Sequence, residues 1–439
     1  MRLLKTRCST VLSETEEVVK DKSLTFIEKL LSIKNIDKGK VSSGDFLISE
    51  VDFLYVHDVT FPLVNHEFES MNGTRVWNPN KFLLNLDHEY PPSTENASKI
   101  HANMRKLAEK QNSLIQEGSN CHQYVLENIA RPGMLIVGAD SHANTVGALN
   151  CGGIGLGTSD CAFILKYGQT WFKVPKSIRI KINGEVHQGV SVKDIALEVI
   201  ATIGPEGANN CSLEWSGELV DSLNISQRAV LTNLSTEMGA HNSVIGYDTI
   251  TKDFLMERGR SEFSPLPFNS DSSSYLNFFE IDASKVAPMV ALPDGFKKIE
   301  RVDETGNTEI SVSIIGTCTN GRLEDLRNIA AILKGKHVKQ SVRLIVTPNS
   351  REVYIRALQE GIIETIVKAG ATVTSSGCGA CAGLQKGLVG PDDVVAFAGP
   401  RNFKGRLGSK EAKIYLVSPE TAASSAVRGY LSNEAEVRG

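Results

Sequence analysis

Three cysteines in the last third of the chain have the residue type and the spacing of a metal centre. Cys378 and Cys381 form a C-x-x-C pair, and Cys318 lies upstream within the segment Gly316-Thr-Cys-Thr-Asn-Gly321. Thiolates bind soft metals and iron–sulfur clusters, and three of them leave one iron of a [4Fe–4S] cluster open to a substrate. The spacing alone also fits a redox pair, half of a zinc site, or thiols that bind nothing.

Histidines and carboxylates form the second group of candidate residues. A histidine paired with a carboxylate can hold a proton near neutral pH, as general acid–base catalysis requires. Any one of them alone is more simply explained as a hydrogen-bonded structural imidazole. The polar turn Gly138-Ala-Asp-Ser-His142 carries one such combination, in Asp140 and His142.

The last third of the chain alternates strand-like and helical patterns, which predicts a mostly parallel sheet with helices on both faces. Strands are predicted at 311–316, 343–347, 371–375, 393–398 and 413–417, and helices at 323–334, 350–368 and 419–431. Ligands of such sheets bind beyond the carboxyl ends of the strands. Cys318 follows the first strand, Cys378 the third and Arg401 the fourth. Each candidate group is therefore predicted at that edge.

The first half of the chain carries similar but weaker signals. A buried strand is predicted at 134–137 and a helix at 159–170. The run Gly152-Gly-Ile-Gly-Leu-Gly157 lacks the register of a dinucleotide-binding loop, and we interpret it as close packing at a helix entry. The stretch 261–274 is rich in Ser, Pro and Asn, which is typical of a loop or linker.

Composition limits the classes of protein and partner. The 439 residues suggest two to four domains, and 41% hydrophobic with 22% charged residues is ordinary for a globular protein. A net charge of -4 gives no case for binding nucleic acid or anionic membranes. No apolar run approaches the ~20 residues of a membrane helix, and the charged N-terminus lacks the apolar region of a signal peptide. Eight cysteines in so long a chain indicate a reducing, cytoplasmic location instead of a disulfide scaffold.

Several motifs together resemble the aconitase family. They are His57-Asp-Val-Thr60, Asp87-His88, His122-Gln123, Gly138-Ala-Asp-Ser-His142, Asn233 with Glu237, Ile315-Gly-Thr-Cys-Thr-Asn-Gly-Arg-Leu-Glu-Asp325, Gly377-Cys-Gly-Ala-Cys-Ala-Gly383 and Arg401-Asn-Phe-Lys-Gly-Arg406. The resemblance implies three α/β domains with mixed or parallel sheets around a central cleft. Their predicted spans are 24–175, 176–300 and 301–439, preceded by an N-terminal extension at 1–23.

The resemblance also implies a partner and a reaction. Single-chain aconitases continue into a fourth, swivelling domain, whereas this sequence ends after the third, as in the two-subunit isopropylmalate dehydratases and homoaconitases. A separate small subunit would supply the swivelling domain and the serine base. The implied reaction isomerises a 2-alkylmalate, first of all 2-isopropylmalate to 3-isopropylmalate in leucine biosynthesis, by dehydration and rehydration. Homoaconitate and citraconate-type substrates are the alternatives.

The same resemblance assigns roles to the candidate residues. Cys318, Cys378 and Cys381 would ligate the [4Fe–4S] cluster. The catalytic set is His88 as proton donor with Asp87, His122, Asp140, Ser141, His142 and Glu237, and the substrate-binding set is His57, Arg401, Arg406, Asn233 and Asn320. Pro400 departs from the family pattern, which usually has Asn there, and proline removes a backbone donor. A cluster-free RNA-binding protein and a scaffold with a structural cluster are the competing interpretations.

Overall fold

The computed structural model of the chain describes residues 16–268 and 274–438. Its strands form four sheets with five, four, seven and two strands, and helices cover the larger sheets. The predicted α/β class is therefore confirmed. None of the helices in these two ranges has the length and apolar character needed to cross a lipid bilayer.

The first region forms a parallel sheet and a small antiparallel ribbon. Its strands are β1 (Phe46–Glu50), β2 (Phe53–His57), β3 (Phe82–Leu86), β4 (Leu114–Glu117), β5 (Leu135–Gly138), β6 (Gly152–Gly155) and β7 (Gln169–Lys173). Its helices are α1 (Phe26–Lys34), α2 (Phe61–Ser70), α3 (Glu95–Gln111), α4 (Cys121–Asn128) and α5 (Thr158–Tyr167), with 3-10 helices at Pro79–Lys81 and Ser141–Leu149. The sheet order is β4-β3-β2-β5-β6, and β1 pairs with β7. Strands β2 and β3 are buried along their whole length, as central strands covered on both faces must be.

The glycine run of the first region holds a loop close to the sheet. Gly152–Gly155 forms β6 itself, and the helix entry follows at α5. A Cβ atom on Gly153 would lie 2.3 Å from the Ala143 carbonyl oxygen, and one on Gly155 would lie 2.5 Å from that of Asp140. The predicted close packing is therefore confirmed, and it brings the loop that carries Asp140 directly against the strand.

The second region forms a four-stranded parallel sheet. Its strands are β8 (Lys176–Asn183), β9 (Cys211–Ser216), β10 (Asn242–Ile245) and β11 (Asn277–Asp282). Its helices are α6 (Val192–Ile203), α7 (Glu218–Ser222), α8 (Ile225–Leu234) and α9 (Thr249–Glu257), with 3-10 helices at Ser235–Met238 and Ala283–Lys285. The strand order is β10-β9-β8-β11. Residues 261–268 have no regular structure, in line with the predicted loop, and residues 269–273 lie outside the described residues.

The third region forms a seven-stranded sheet. Its strands are β12 (Met289–Ala291), β13 (Ile299–Arg301), β14 (Val312–Ile315), β15 (Arg343–Val346), β16 (Thr372–Val373), β17 (Val394–Ala398) and β18 (Lys413–Leu416). Its helices are α10 (Leu323–Leu333), α11 (Arg351–Gln359), α12 (Ile362–Lys368), α13 (Pro419–Arg428) and α14 (Ala435–Arg438), with 3-10 helices at Val302–Glu304 and Cys381–Gly383. The order is β13-β12-β18-β17-β14-β15-β16, and β14 to β18 run parallel, which confirms the five predicted strands.

The prediction of a single helix at 350–368 is wrong. The segment forms two helices, α11 and α12, because Gly361 adopts a φ of +70 between them.

The second and third sheets are fixed to one another by a shared core. Ile180 and Trp215 of the second sheet belong to the same buried cluster as Ile314 and Phe397 of the third. Strands β12 and β13 pair within the third sheet, so we propose that the third domain begins between β11 and β12 instead of at residue 301. In the predicted N-terminal extension, residues 16–20 are helical and Val18 is buried, whereas residues 1–15 lie outside the described residues.

Candidate active site

The candidate residues of the first region lie at the carboxyl edge of its sheet. His57 is the last residue of β2. Asp87 and His88 directly follow β3, and Asp140 follows β5. The strand order reverses between β2 and β5, and ligands of open α/β sheets bind in the crevice at such a reversal. The imidazoles and carboxylates therefore surround the expected ligand position of this sheet.

The third sheet repeats this arrangement. Cys318 follows β14, Cys378 follows β16 and Arg401 follows β17, and the strand order reverses between β14 and β17. Side-chain ligand atoms of His122, His142 and Cys318 lie within 4.8 Å of one another. The carboxyl edges of the first and third sheets therefore face each other across one cleft.

Asp140 is the carboxylate on which three histidines of the cleft converge. Its oxygens lie 3.2 Å from Nε2 of His122, 3.4 Å from Nε2 of His57 and 3.4 Å from Nδ1 of His142. Its Oδ1 also accepts the backbone N–H of His142 at 2.8 Å, which caps the 3-10 helix that follows. Burial would raise the pKa of Asp140, but the histidines, His122 foremost, hold it well below its ordinary value. The cleft therefore contains a permanent negative charge.

His88 forms a hydrogen-bonded pair with the preceding carboxylate. Its Nδ1 lies 2.9 Å from Oδ1 of Asp87, whose other oxygen accepts the backbone N–H of Cys121 at 2.7 Å. Burial would lower the pKa of His88, but the nearby carboxylates, Asp87 foremost, raise it to about 10. His88 therefore keeps its proton throughout the neutral range.

Asp58 contacts the Asp87–His88 pair, although it is not among the site residues predicted from the sequence. Its Oδ1 accepts the backbone N–H of His88 at 3.1 Å, and its Oδ2 lies 3.0 Å from Nε2 of His101 on α3. Burial would raise the pKa of Asp58, but His101 and the neighbouring imidazoles hold it well below its ordinary value. Asp58 could have been identified from the sequence, because it lies within the motif His57-Asp-Val-Thr60. No local motif surrounds His101.

His122 differs from His88 in its protonation. Its Nδ1 lies 2.7 Å from the hydroxyl oxygen of Tyr55. Burial lowers the pKa of His122, and the opposing effect of Asp140 does not restore it. The cleft therefore holds one charged and one neutral imidazole, and the neutral one contacts Tyr55 at Nδ1 and Asp140 at Nε2. Tyr55 is missed by sequence reasoning because it lies inside a buried strand, where an aromatic residue is typical of the core.

Glu237 connects a histidine to an arginine, and the three residues come from three regions. Nε2 of His142 lies 3.0 Å from Oε1 of Glu237, and Nε of Arg401 donates to both carboxylate oxygens at 2.8 and 3.0 Å. Burial would raise the pKa of Glu237, but His142 and Arg401 hold it below its ordinary value. Among the described residues, the hydrogen bonds of Arg401 use Nε alone. Its terminal nitrogens remain for a carboxylate ligand.

The three cysteines predicted to bind metal are all buried, each with 2% exposure. The Cys378 thiol donates a hydrogen bond to Cys381, and Nη2 of Arg406 donates to the same sulfur at 2.7 Å. The bond from Cys378, followed by Arg406, holds the pKa of Cys381 well below its ordinary value, whereas burial raises the pKa of Cys318 to about 12. Arg406, predicted to bind substrate, thus contacts a sulfur. One stabilised thiolate beside two buried thiols is a donor set that fits an iron–sulfur cluster.

The other predicted residues differ in how closely they join the cleft. Asn233 joins it, because its Oδ1 accepts the Thr319 hydroxyl at 2.7 Å, next to Cys318. Ser141 is exposed. Asn320 donates to a carboxylate of α10 at 3.3 Å and lines a separate cavity of about 300 Å³. The functional roles of these residues stay predictions.

Comparison with known proteins gives the same answer as the motifs. The model of the aconitase family (aconitate hydratase) matches residues 28–304 and 294–429. A probable 3-isopropylmalate dehydratase large subunit from Methanothermobacter thermautotrophicus is 38% identical over 421 residues, which cover 95% of this chain and 100% of that protein. The methanogen homoaconitase large subunit of Methanocaldococcus jannaschii is 40% identical over 426 residues, 94% of this chain and 100% of the relative.

A solved structure shares the fold. Aconitase X of Thermococcus kodakaraensis aligns with a TM-score of 0.54 and 15% sequence identity, and the alignment covers 86% of this chain and 90% of that one. The family model spans almost the whole described chain, and the motifs that carry the resemblance are those whose side chains meet in the cleft. The chain belongs to the aconitase family.

Proposed function

We propose that this chain is the large, catalytic subunit of a hydro-lyase that isomerises a 2-alkylmalate, converting 2-isopropylmalate to 3-isopropylmalate by loss and readdition of water. The observation that carries the proposal is the cleft, in which buried thiols face histidine–carboxylate pairs. The reaction needs a Lewis acid, a proton donor and cations for substrate carboxylates, and the cleft has residues for each. Full-length similarity to a probable 3-isopropylmalate dehydratase large subunit supports the choice of substrate.

Cys318, Cys378 and Cys381 would hold the [4Fe–4S] cluster. Their fit rests on the donor set: three buried sulfurs at one sheet edge, one of them stabilised as a thiolate by Arg406 and Cys378. When bound, such a cluster supplies an open iron that acts as a Lewis acid toward a hydroxyl and a carboxylate oxygen.

His88 is the proton donor in this proposal. Asp87 binds Nδ1 and keeps the imidazole charged, so a proton is held ready at Nε2, which lies 3.8 Å from Oδ2 of Asp140. A departing hydroxyl that receives this proton leaves as water, which is a far better leaving group than hydroxide. His122 lies in the same cleft between the Tyr55 hydroxyl at Nδ1 and Asp140 at Nε2.

Substrate carboxylates are bound by the arginines of the loop after β17. Arg401 is oriented by Glu237 and keeps its terminal nitrogens for a carboxylate, which a guanidinium binds through two parallel hydrogen bonds. Arg406 lies at the sulfurs and would bind an oxygen of a substrate that reaches them. His57 and Asn233 line the remaining sides of the cleft.

A small subunit completes the enzyme. We propose that it carries the swivelling domain and a serine base that removes the C–H proton of the substrate. The relatives are named large subunits, which supports a partner of this kind. The isolated chain would then bind its cluster but show little turnover. Cluster thiols must stay reduced, so we propose a cytoplasmic location.

Homoaconitase is the second candidate, because a methanogen homoaconitase large subunit is 40% identical over its full length. The dehydratase and the homoaconitase would use the same chemistry in the cleft. They would differ in the variable group of the substrate, which the small subunit would recognise. A further alternative is a zinc site, since His122, His142 and Cys318 also form a possible set of metal ligands.

The deciding experiment is anaerobic purification of the chain together with its small subunit, followed by iron, sulfide and zinc analysis and a visible spectrum. We expect iron and sulfide in equal amounts, a brown colour that fades in air, and activity in both directions between 2- and 3-isopropylmalate. Higher kcat/KM with homocitrate-type substrates in the same assay would favour the homoaconitase. A colourless protein that contains only zinc would overturn both candidates.

A further inference from the structure

Two buried cations lie behind the cysteine loops, and the proposed mechanism does not use them. Arg322 is 1% exposed and Lys193 is 0% exposed. Neither forms an ion pair within the part of the chain that the structure describes. Both instead donate to backbone carbonyls of the loops that surround the sulfurs. Buried charges without a direct partner are costly, so this arrangement calls for an explanation.

Arg322 binds the loop of Cys318 with its whole guanidinium. Nη2 donates to the carbonyl oxygen of Cys318 at 2.9 Å, and Nη1 donates to that of Thr319. Nε donates to Oε1 of Gln123 at 2.8 Å. Gln123 is the neighbour of His122, so one side chain joins the cysteine loop of the third region to the histidine helix of the first.

Lys193 approaches the same edge from the second region. It lies near the start of α6, and its Nζ donates to the carbonyl oxygen of Gly399 at 2.7 Å. Gly399 follows β17 and precedes Pro400, which opens the loop of Arg401. Two regions outside the cysteine-bearing sheet therefore each contribute a contact to a loop at its carboxyl edge.

The nearest carboxylates are already engaged elsewhere. Asp325 accepts the backbone N–H groups of Gly321 and Arg322 at 2.8 and 3.0 Å. Asp194 accepts those of Ser191 and Met289 at 2.7 and 2.9 Å. Within the described residues, these carboxylates form no ion pair with the two cations. The hydrogen bonds of Arg322 go to the Cys318 loop and to Gln123. The hydrogen bond of Lys193 goes to the loop that follows β17.

We propose that Arg322 and Lys193 are positioning residues that hold the two loops and act as counter-charges for an anionic cluster bound by the three cysteines. The inference rests on the proposed function. Cluster potentials depend on net charge and on hydrogen bonds around the sulfurs, so losing a positive charge should make the reduced cluster harder to form. Both residues should also slow the loss of iron from the site.

The experiment compares Arg322→Met, Arg322→Lys and Lys193→Met with the wild type, each purified anaerobically with the small subunit. Arg327→Met is the matched control, because Arg327 lies on α10, which begins directly after Arg322, is exposed, and pairs with Glu360 and Glu324 at the surface. The measurements are iron content, the rate of cluster loss to an iron chelator, the midpoint reduction potential of the cluster, and circular dichroism to verify folding.

We expect Arg322→Met and Lys193→Met to lose iron about 10- to 100-fold faster than wild type and to show a more negative potential. Arg322→Lys should keep the potential near the wild-type value, since it retains the charge, yet still lose iron faster because it loses the forked contacts. Arg327→Met should match the wild type. If Arg322→Met does not fold, Lys193→Met decides the question of charge.

The two proposals fail in different ways. Wild-type protein without iron would overturn the proposed function. Wild-type protein that holds its cluster, beside folded Met variants with unchanged potential and unchanged iron loss, would overturn this inference alone. A faster loss with an unchanged potential in Lys193→Met would overturn the counter-charge role.

Discussion

The imidazole of His57 stacks on that of His88, with 4.0 Å between ring centroids and 21° between ring planes. Both Nε2 atoms face Oδ2 of Asp140, at 3.4 and 3.8 Å. Nδ1 of His88 is hydrogen-bonded to Oδ1 of Asp87 at 2.9 Å, whereas Nδ1 of His57 lies 4.0 Å from Oδ1 of Asp58. Asp87 is the foremost of the carboxylates that raise the pKa of His88. His88 thus presents an acidic proton to the cleft.

Replacing Asp87 by Asn should move the pH profile of the enzyme. The variant loses the main group that raises the pKa of His88, so this imidazole gives up its proton at lower pH. For Asp87→Asn, we expect the alkaline limb of the kcat profile to shift to lower pH and kcat at neutral pH to fall. For His88→Asn, which removes the proposed donor, we expect kcat to fall about 10²- to 10⁴-fold. The measurement is kcat from pH 6 to 10 with the small subunit present. Glu95→Gln, an exposed change on α3, is the control, and an unshifted limb in Asp87→Asn would remove His88 as the donor.

The same substitution should change stability in a defined pH window. The pKa of His88 is about 10 in the fold and about 6.5 in an unfolded chain. A raised pKa contributes stability that is fully present below pH ~6.5 and is lost as pH rises toward 10. The difference in Tm between wild type and Asp87→Asn should therefore be largest at pH 6 and shrink toward pH 10. A difference that grows with pH would contradict the assignment of the charge to His88.

Cys378→Ala should abolish cluster binding without unfolding the chain. The substitution removes one sulfur and also the hydrogen bond that stabilises the Cys381 thiolate. We expect loss of visible absorbance and of most bound iron, with unchanged circular dichroism. Cys211→Ala is the matched control, because this buried cysteine lies at the start of β9 in the second region. Equal iron contents in the two variants would exclude Cys378 as a ligand.

The sequence predicted those parts of the fold and site that follow from local pattern. Strands β14 to β18 are short apolar runs followed by polar turns, and their alternation with helices implies a parallel sheet. Parallel strands share a carboxyl edge, so the residues after each strand had to meet. This reasoning brought Cys318 and Cys378 to one edge without any tertiary information.

Contacts between regions could not be read in this way. His101 binds Asp58 from the middle of a helix, and Arg322 binds Gln123 across a region boundary. Neither pair has a spacing that marks it in the sequence, because partners of this kind are chosen by packing. The same limit applies to β12, which falls within the predicted span 176–300, since only its pairing with β13 and β18 assigns it to the third sheet.

Replacing Arg401 by Gln should weaken substrate binding more than it slows the chemical step. The variant removes a guanidinium held by Glu237, and hydrogen bonds to charged groups contribute about 1.5–3 kcal/mol. We expect KM to rise about 10- to 150-fold, which is that energy expressed as a ratio. The measurement is steady-state kinetics with the small subunit. Lys404→Gln, which removes an exposed partner of Asp294 in the same loop, should leave KM unchanged, and equal effects of both changes would argue against a specific carboxylate contact.

Two glycines beside the cleft should respond differently to an added methyl group. A Cβ on Gly155 would lie 2.5 Å from the carbonyl oxygen of Asp140 and 2.8 Å from Cα of Ser141, both backbone atoms that cannot move alone. Gly155→Ala should therefore cost about 1–3 kcal/mol of unfolding free energy and displace the carboxylate that the histidines share, which lowers kcat. A Cβ on Gly157 has its nearest neighbour at 3.8 Å, so Gly157→Ala should change both quantities much less. Anaerobic thermal unfolding and kcat of the two variants test this, and equal losses would show that the loop of Asp140 does not depend on its approach to β6.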